Sequence, residues 1–319
     1  MNIPTLSEFP SPPVGKSGWP WTADKIKPTG KIYGNRHWPK ISIVTPSYNQ
    51  GQFLEQTIRS VLLQGYPNIE YIIIDGGSVD NSVEIIKRYE SWLTYWISKP
   101  DRGQSHALNE GFGKATGEIF GWLNADDYFH PEGLATLIEL RRNHPDSVAW
   151  VGACLEIDIH GNPIQWVPPR TGNKPQIGDW GTGAHFYQPS CLFSAELFFK
   201  AGQLDEQLNY VMDIDLWLRL ADSGYFTSID KVVSYSRNYP EAKTFRDLPM
   251  REAEMVFINF RRGTPQMARQ RMLRWNKIVL DFLPYRDLLR YIMKRTARRL
   301  CQGIRDISGK HKKPTGLSL

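Results

Sequence analysis

Gly121-Trp122-Leu123-Asn124-Ala125-Asp126-Asp127 joins an apolar, strand-like run directly to two adjacent carboxylates. Carboxylates at a strand end suit a hard divalent cation, because Mg2+ and Mn2+ take oxygen ligands and keep one or two protein carboxylates beside substrate phosphates. The ligand implied is a nucleotide diphosphate. The same pair also serves as an N-cap and solvated turn ahead of a helix, and Pro131 to Leu140 reads as one. The neighbouring sequence decides between the two.

Upstream, Lys40 to Val44 is a short β-branched run ending at Thr45-Pro46-Ser47-Tyr48-Asn49, after which Phe53, Leu54, Ile58, Val61 and Leu62 recur at helical spacing. A second unit has a strand over Tyr71 to Ile74, a loop over Asp75 to Asp80 and a helix over Ser82 to Trp92 with Val83, Ile86 and Tyr89 inward. A strand at Tyr95 to Ser98, a helix-like stretch from Asp101 to Gly117 and a strand at Glu118 to Leu123 follow. This alternation predicts an α/β fold, with a mainly parallel, Rossmann-like sheet flanked by helices. Such sheets bind ligands at the carboxyl ends of their strands, so the polar loops at Thr45, Asp75 and Asn124 should open on one edge.

Thr45-Pro46-Ser47-Tyr48-Asn49, Ile74-Asp75-Gly76-Gly77-Ser78-Val79-Asp80, Asp101-Arg102-Gly103, Ala107 to Gly111, Ala115-Thr116-Gly117, Leu123 to Asp127 and Met212 to Arg219 occur in the order found in family 2 glycosyltransferases. The chain resembles that family from about Lys40 to Ser236. The resemblance implies a glycosyltransferase A fold, a nucleotide-sugar donor, a divalent metal and inversion at the anomeric carbon.

It also implies roles. Thr45, Pro46 and Tyr48 match the loop that borders the nucleotide, and Asp75 matches the acidic residue that pairs with the base. Gly76 and Gly77 depart from the commoner Asp-Gly pair. Asp80 reads as a helix N-cap. Asp101 and Arg102 fall where the family places sugar or base, and His106 is either a sugar contact or an ordinary helix residue. Asn124 stands where the family often has Asp; its amide can hydrogen-bond a ribose hydroxyl, while Asp126 and Asp127 are assigned the Mn2+ or Mg2+. Asp213 is the candidate general base, with Met212 replacing the usual Glu and Asp215 the rival, the latter suited to the first turn of a helix over Leu216 to Ala221. Gln188 and Pro189 resemble the acceptor side. Arg237 and Lys243 are either diphosphate contacts or solvated loop cations.

Composition fits a globular enzyme of 319 residues, 41% hydrophobic. The eleven tryptophans include Trp19, Trp21, Trp38, Trp166 and Trp180 in predicted loops, where aromatic faces suit either sugar stacking or packing. Cys154, Cys191 and Cys301 have no metal-like spacing and suggest a reducing compartment. Residues 1–39, broken by prolines and glycines, predict an extension without a signal peptide, ahead of a catalytic domain at 40–245. From Arg246 onward there are 18 Lys and Arg against 6 Asp and Glu, net +12, so the whole-chain +6 leaves the preceding residues at −6.

That basic region, 246–307, is expected to be helical, and 308–319 a disordered tail. Within it Leu288, Leu289, Ile292 and Met293 mark one face of a helix over Tyr285 to Leu300, and Arg286, Arg290, Lys294, Arg298 and Arg299 fill the others. This helix either lies on an anionic membrane surface or docks on the catalytic domain. No nucleic-acid motif accompanies the charge, so nucleic acid is not the expected partner. The expectation is a cytoplasmic enzyme, peripheral on the membrane if the helix binds lipid, acting on a glycan or lipid-linked glycan. A nucleotidyltransferase should instead carry a basic phosphate loop near its first strand, yet Thr45 to Gln52 has no Lys or Arg. A non-catalytic nucleotide-sugar or glycan-binding module would lack a base, whereas Asp213 is present.

Overall fold

The computed structural model describes residues 4–23, 38–180, 184–243, 247–262 and 265–282. Strands β1 (Ile41–Ser47), β2 (Ile69–Asp75), β3 (Tyr95–Ser98) and β4 (Ile119–Trp122) alternate with helices α1 (Gly51–Leu62), α2 (Ser82–Tyr89) and α3 (Gln104–Lys114). With one another these strands pair in parallel, in the order β3-β2-β1-β4. The expected parallel α/β half is therefore present, with the second helix shortened and followed by a 3-10 turn at Glu90–Trp92.

The rest of the chain adds β5 (Tyr128–Phe129), α4 (Gly133–Asn143), β6 (Ala149–Ile157), β7 (Pro163–Val167), α5 (Lys174–Gly178), β8 (Cys191–Ser194), α6 (Ala195–Lys200), α7 (Met212–Leu220) and β9 (Phe226–Arg237). Helices α8 (Leu248–Arg261) and α9 (Pro265–Phe282) pack on each other after the sheet. The sheet continues from β4 through antiparallel β8 and β6, then β9 parallel to β6 and β5 antiparallel at the end, with β7 paired to β6. The helix over Tyr285 to Leu300 and the tail at 308–319 lie outside the described residues.

Both faces of the parallel half are covered, which is why its strands read as continuous apolar runs. Ile41, Ile43, Tyr71 and Ile73 face one cluster with Leu54, Ile58 and Ile86, while Val44, Ile72 and Ile74 face another with Phe112, Phe120 and Trp122. Helix α3 approaches β1 at Gly111, where an added Cβ would come 2.5 Å from Val44 Cγ1. This glycine serves helix-to-sheet packing and is not on a ligand wall.

Among the described residues ahead of β1, those from 4 to 23 pack against the parallel half. Arg59 of α1 is 1% exposed and donates to the carbonyls of Pro10, Pro20 and Trp21 and to the Tyr89 hydroxyl. Phe9 packs edge-on against Tyr89 and Trp92. A buried guanidinium needs its donors met, and the N-terminal carbonyls meet them.

Candidate active site

The chain runs from β1 to β2 and β3 on one side and returns to β4 on the other, so the topological switch point lies between β1 and β4. The β1–β4 ladder stops at Val44 opposite Trp122, whereas β1 continues beside β2 as far as Ser47 opposite Asp75. Val44 O accepts from Leu123 N at 3.1 Å and Ser47 O accepts from Gly76 N at 2.8 Å. Alternate residues face opposite neighbours, so Pro46 faces the β4 side after β4 has left. A residue without an N–H costs no ladder bond there. The crevice has the Thr45 to Asn49 segment on one lip and the Asn124 to Asp127 turn on the other.

Three loops converge on the first lip. A Cβ on Gly76 would meet Asp101 Oδ2 at 2.9 Å and Tyr48 Cδ2 at 3.4 Å, so the absent side chain lets Asp101 and Tyr48 close over this loop. The Tyr48 ring is 63% exposed, a free stacking face. Asp101, partly exposed, accepts from Gly103 N at 2.7 Å. Contrary to a loop placement, Thr45 and Pro46 belong to β1 and are buried, and Thr45 Oγ1 lies 3.0 Å from the Tyr71 hydroxyl. Asp75 is fully buried and accepts from Ser78 N at 2.8 Å, Ser78 Oγ at 2.5 Å and Ser98 Oγ at 2.7 Å. Its carboxylate thus braces its own loop. Asp80 accepts from Gly51 N at 2.9 Å and Ser82 N at 3.0 Å, tying the starts of α1 and α2 together, while Asn81 holds the N-cap position of α2. Arg102 pairs with Glu206 at 2.7 Å.

On the opposite lip Asn124 Oδ1 accepts from Gln104 Nε2 at 2.8 Å, and Gln104 Oε1 accepts from Lys243 Nζ at 3.3 Å. Asp126 accepts from the Tyr239 hydroxyl at 2.8 Å, and Asp127 from Arg237 N at 3.1 Å. The Arg237 guanidinium is not a solvated cation. It is nearly buried, lies over the rings of Phe53 (4.6 Å) and Tyr128 (5.2 Å), and donates to Asp126 O and Gln56 Oε1.

Loss of hydration raises both carboxyls, Asp127 to about 8 with the Asp126 charge adding to the rise and the Arg237 N–H opposing it. A cation would relieve that repulsion, and the oxygen donors suit Mg2+ or Mn2+. Among the described residues no group of three or more His, Cys, Asp or Glu forms a metal cage. The pair therefore fits a metal that shares its shell with phosphates, not one enclosed by protein.

The two aspartates of α7 have opposite surroundings. This helix starts at Met212, earlier than expected, which puts both in its first turn. Asp215 is fully buried and forms ion pairs with Arg219 (2.9 Å) and Arg262 (2.7 Å). That pairing corrects its expected place on the acceptor side: it is a buried anchor. Asp213 is partly exposed, accepts from Ile214 N at 2.8 Å, and is raised to about 6 by loss of hydration, opposed by backbone hydrogen bonds and by the Arg251 and Lys243 charges. Helix α7 reaches the acidic lip through Trp217, which stacks on Trp122 with centroids 5.8 Å apart. Gln188 and Pro189, both buried, form a 3-10 turn beside β4, where Gln188 Nε2 donates to Trp122 O at 2.8 Å. His106 is partly buried.

Sequence reading missed Tyr239, Gln104 and Glu206. Their partners lie 113, 20 and 104 residues away, and no local pattern marks such pairs.

Residues 42–198 match the model of glycosyl transferase family 2. Over 200 residues the chain is 32% identical to an uncharacterized glycosyltransferase of Rickettsia typhi, an alignment covering 60% of this chain and 62% of that protein. It is 37% identical over 115 residues to one of Mycobacterium tuberculosis, covering 35% and 44% of the two chains. The chain thus spans less than two thirds of the length of either relative. Among solved structures, S. aureus TarS 1–349 in complex with UDP superposes with a TM-score of 0.58 at 16% identity, over 79% of this chain and 78% of that one. The mannosyltransferase PcManGT from Pyrobaculum calidifontis, in complex with GDP-Man and Mn2+, gives 0.54 at 14% identity, over 82% and 81%. The architecture is that of a glycosyltransferase A fold. The match to glycosyl transferase family 2 holds for residues 42–198.

Proposed function

We propose that this protein is an inverting glycosyltransferase that passes a sugar, a hexose type, from a UDP-sugar to a hydroxyl of a glycan or lipid-linked glycan. The observation that carries the reading is the contrast within α7: Asp215 is locked between two arginines, while Asp213 stays partly open with its carboxyl raised to about 6. A base poised near the working pH can take a hydroxyl proton as the oxygen attacks the anomeric carbon. The UDP assignment is supported by the likeness to TarS, whose structures hold UDP and UDP-GlcNAc.

In this reading the Tyr48 ring stacks on the base and Asp101 meets base or ribose, while Thr45, Pro46 and Asp75 shape the loop beneath them. For Asp75 to accept from a base imide as well, Ser78 or Ser98 would have to yield a hydrogen bond. Arg102 meets the donor only by leaving Glu206. Asn124 faces the ribose, and Gln188 and Pro189 back the acceptor. Asp126 and Asp127 would hold Mn2+ or Mg2+, which supplies charge neutralisation for the departing diphosphate. Lys243, tied to Gln104, adds a cation between base and acidic turn.

Membrane association through 285–300 and a cytoplasmic, peripheral location belong to the same proposal; among the described residues no helix is long and apolar enough to cross a membrane. A nucleotide-sugar panel scored by nucleoside diphosphate release, with and without Mn2+ or Mg2+, tests the reading. Metal-dependent UDP release from one UDP-sugar is expected. Pyrophosphate formation from a sugar phosphate and UTP would favour a nucleotidyltransferase, and binding without turnover a non-catalytic module.

A further inference from the structure

We propose that Glu254, on α8, is a positioning residue for Asp213, a role that rests on the base reading above. The Glu254 carboxylate is 1% exposed and straddles two successive backbone N–H groups. Asn209 N lies 3.1 Å from both of its oxygens and Tyr210 N lies 2.8 Å from Oε2. These peptides immediately precede Val211, the N-cap of α7, and Asp213 sits in the first turn that follows. A charged acceptor shared by two consecutive N–H groups fixes the peptide plane between them. The direction in which α7 leaves that plane sets where the Asp213 carboxylate stands.

The rest of α8 grips the same segment at its other points. Asp247, the N-cap of α8, accepts from the Tyr210 hydroxyl at 3.0 Å. Arg261 pairs with Asp205, and Arg262, the C-cap, pairs with Asp215 at 2.7 Å. The charged groups facing Asp213 are Arg251, also on α8, and Lys243 from the turn after β9, with the Cys191 thiol of β8 beside it. One helix therefore both holds the turn that carries the base and presents a cation to it. Misplacing a reacting group by about 1 Å costs up to about 100-fold in rate, so the grip bears directly on catalysis.

The test is Glu254→Gln in the full chain. Its amide keeps the shape but turns an NH2 donor toward one of the two N–H groups. Three readouts serve: kcat and donor KM for UDP release from UDP-GlcNAc, the acid limb of the kcat profile, and a carbon-13 NMR titration of the Asp213 carboxyl, assigned by its loss in Asp213→Asn. The expected result is a kcat loss of about 10- to 100-fold with donor KM unchanged, a displaced Asp213 titration, and partial recovery in Glu254→Asp. An unchanged titration and kcat in folded Glu254→Gln, or a loss confined to donor KM, would overturn the proposal. If Glu254→Gln does not fold, Glu254→Asp carries the same readouts, with an Asp213 titration identical to wild type as the overturning result. Full turnover in Asp213→Asn sinks the base reading and this role with it. Lost turnover in Asp213→Asn beside an unaltered Glu254→Gln sinks only the positioning role.

Discussion

Two carboxylates two residues apart, Asp213 and Asp215, separate into different tasks because only one has cations within bonding distance. Asp213→Asn keeps shape and removes proton-accepting power, so donor binding should survive while transfer falls by about two orders of magnitude or more. The wild-type rate should rise with pH through about 6 and then level, because the base must be ionised. The stability sign is the reverse. A carboxyl raised from 3.8 to about 6 holds its proton better in the folded state, so its contribution is present below about 4 and lost as pH rises through about 6. Asp213→Asn should accordingly raise the melting temperature at pH 8 and leave it unchanged at pH 4. For the acidic turn, Asp126→Ala and Asp127→Ala should each weaken metal-dependent donor binding by calorimetry with the fold retained, and a chelator should reproduce that loss in wild type. Unaltered donor affinity in both variants would remove the metal assignment. The candidate acidic pair and the candidate base can be named from sequence because the chemistry proposed for them is a matter of residue type and order. The burial of Asp215 is not, since Arg262 lies 47 residues away.

At the scale of elements, periodicity identified β1 to β4 and their helices because each is covered on both faces or along one stripe. It erred where a polar side chain changes sides. Thr45 reads as loop yet extends β1, since the Tyr71 hydroxyl meets its Oγ1 inside the sheet. The sequence puts the start of α7 four residues late because Asp215 reads as a cap or first-turn residue ahead of Leu216, whereas it is neutralised by two arginines within the helix packing. Asp215→Asn should test that anchor: it takes the buried carboxylate from the partly buried Arg219 and Arg262, a loss of about 3 kcal/mol in urea unfolding. A change under about 1 kcal/mol would show that the pairs contribute little. Of the mixed half, β5 to β9, the sequence yields only the strand at Cys191 to Phe193. Its strands are short or join across long intervals, as where Tyr128 meets Tyr235.

At the scale of the molecule, residues 1–39 read from sequence as an extension, yet Arg59 ties Pro10, Pro20 and Trp21 to α1 and α2. Arg59→Met leaves the carbonyls of Pro10, Pro20 and Trp21 without that donor and should cost about 3 kcal/mol or more, with faster proteolysis within residues 4–23. Intact protease resistance there would mean that Phe9 and its ring contacts suffice. The basic C-terminal end sets a different expectation. If residues 285–300 meet lipid, each Lys or Arg adds about 1 kcal/mol near an anionic surface, and salt screens it. Cosedimentation with acidic vesicles should be strong at low salt, decline as salt rises, and weaken when Arg290, Lys294, Arg298 and Arg299 become Gln. Indifference to such vesicles at low salt, with Leu289→Asp and Ile292→Asp lowering the melting temperature, would mark a docked helix instead.

The parting of β1 from β4 has a further consequence. Two adjacent strands form a seam that backbone chemistry tends to lace shut, each added rung satisfying another pair of polar groups. At Pro46 one eyelet is missing, so lacing past Val44 would gain no N–H bond from that residue, only what its carbonyl could accept. The gap is thus written into the covalent chain and needs no occupant to prop it open. If the proposed donor binds there, it would meet a space already prepared, and none of its binding energy would be diverted to prising strands apart.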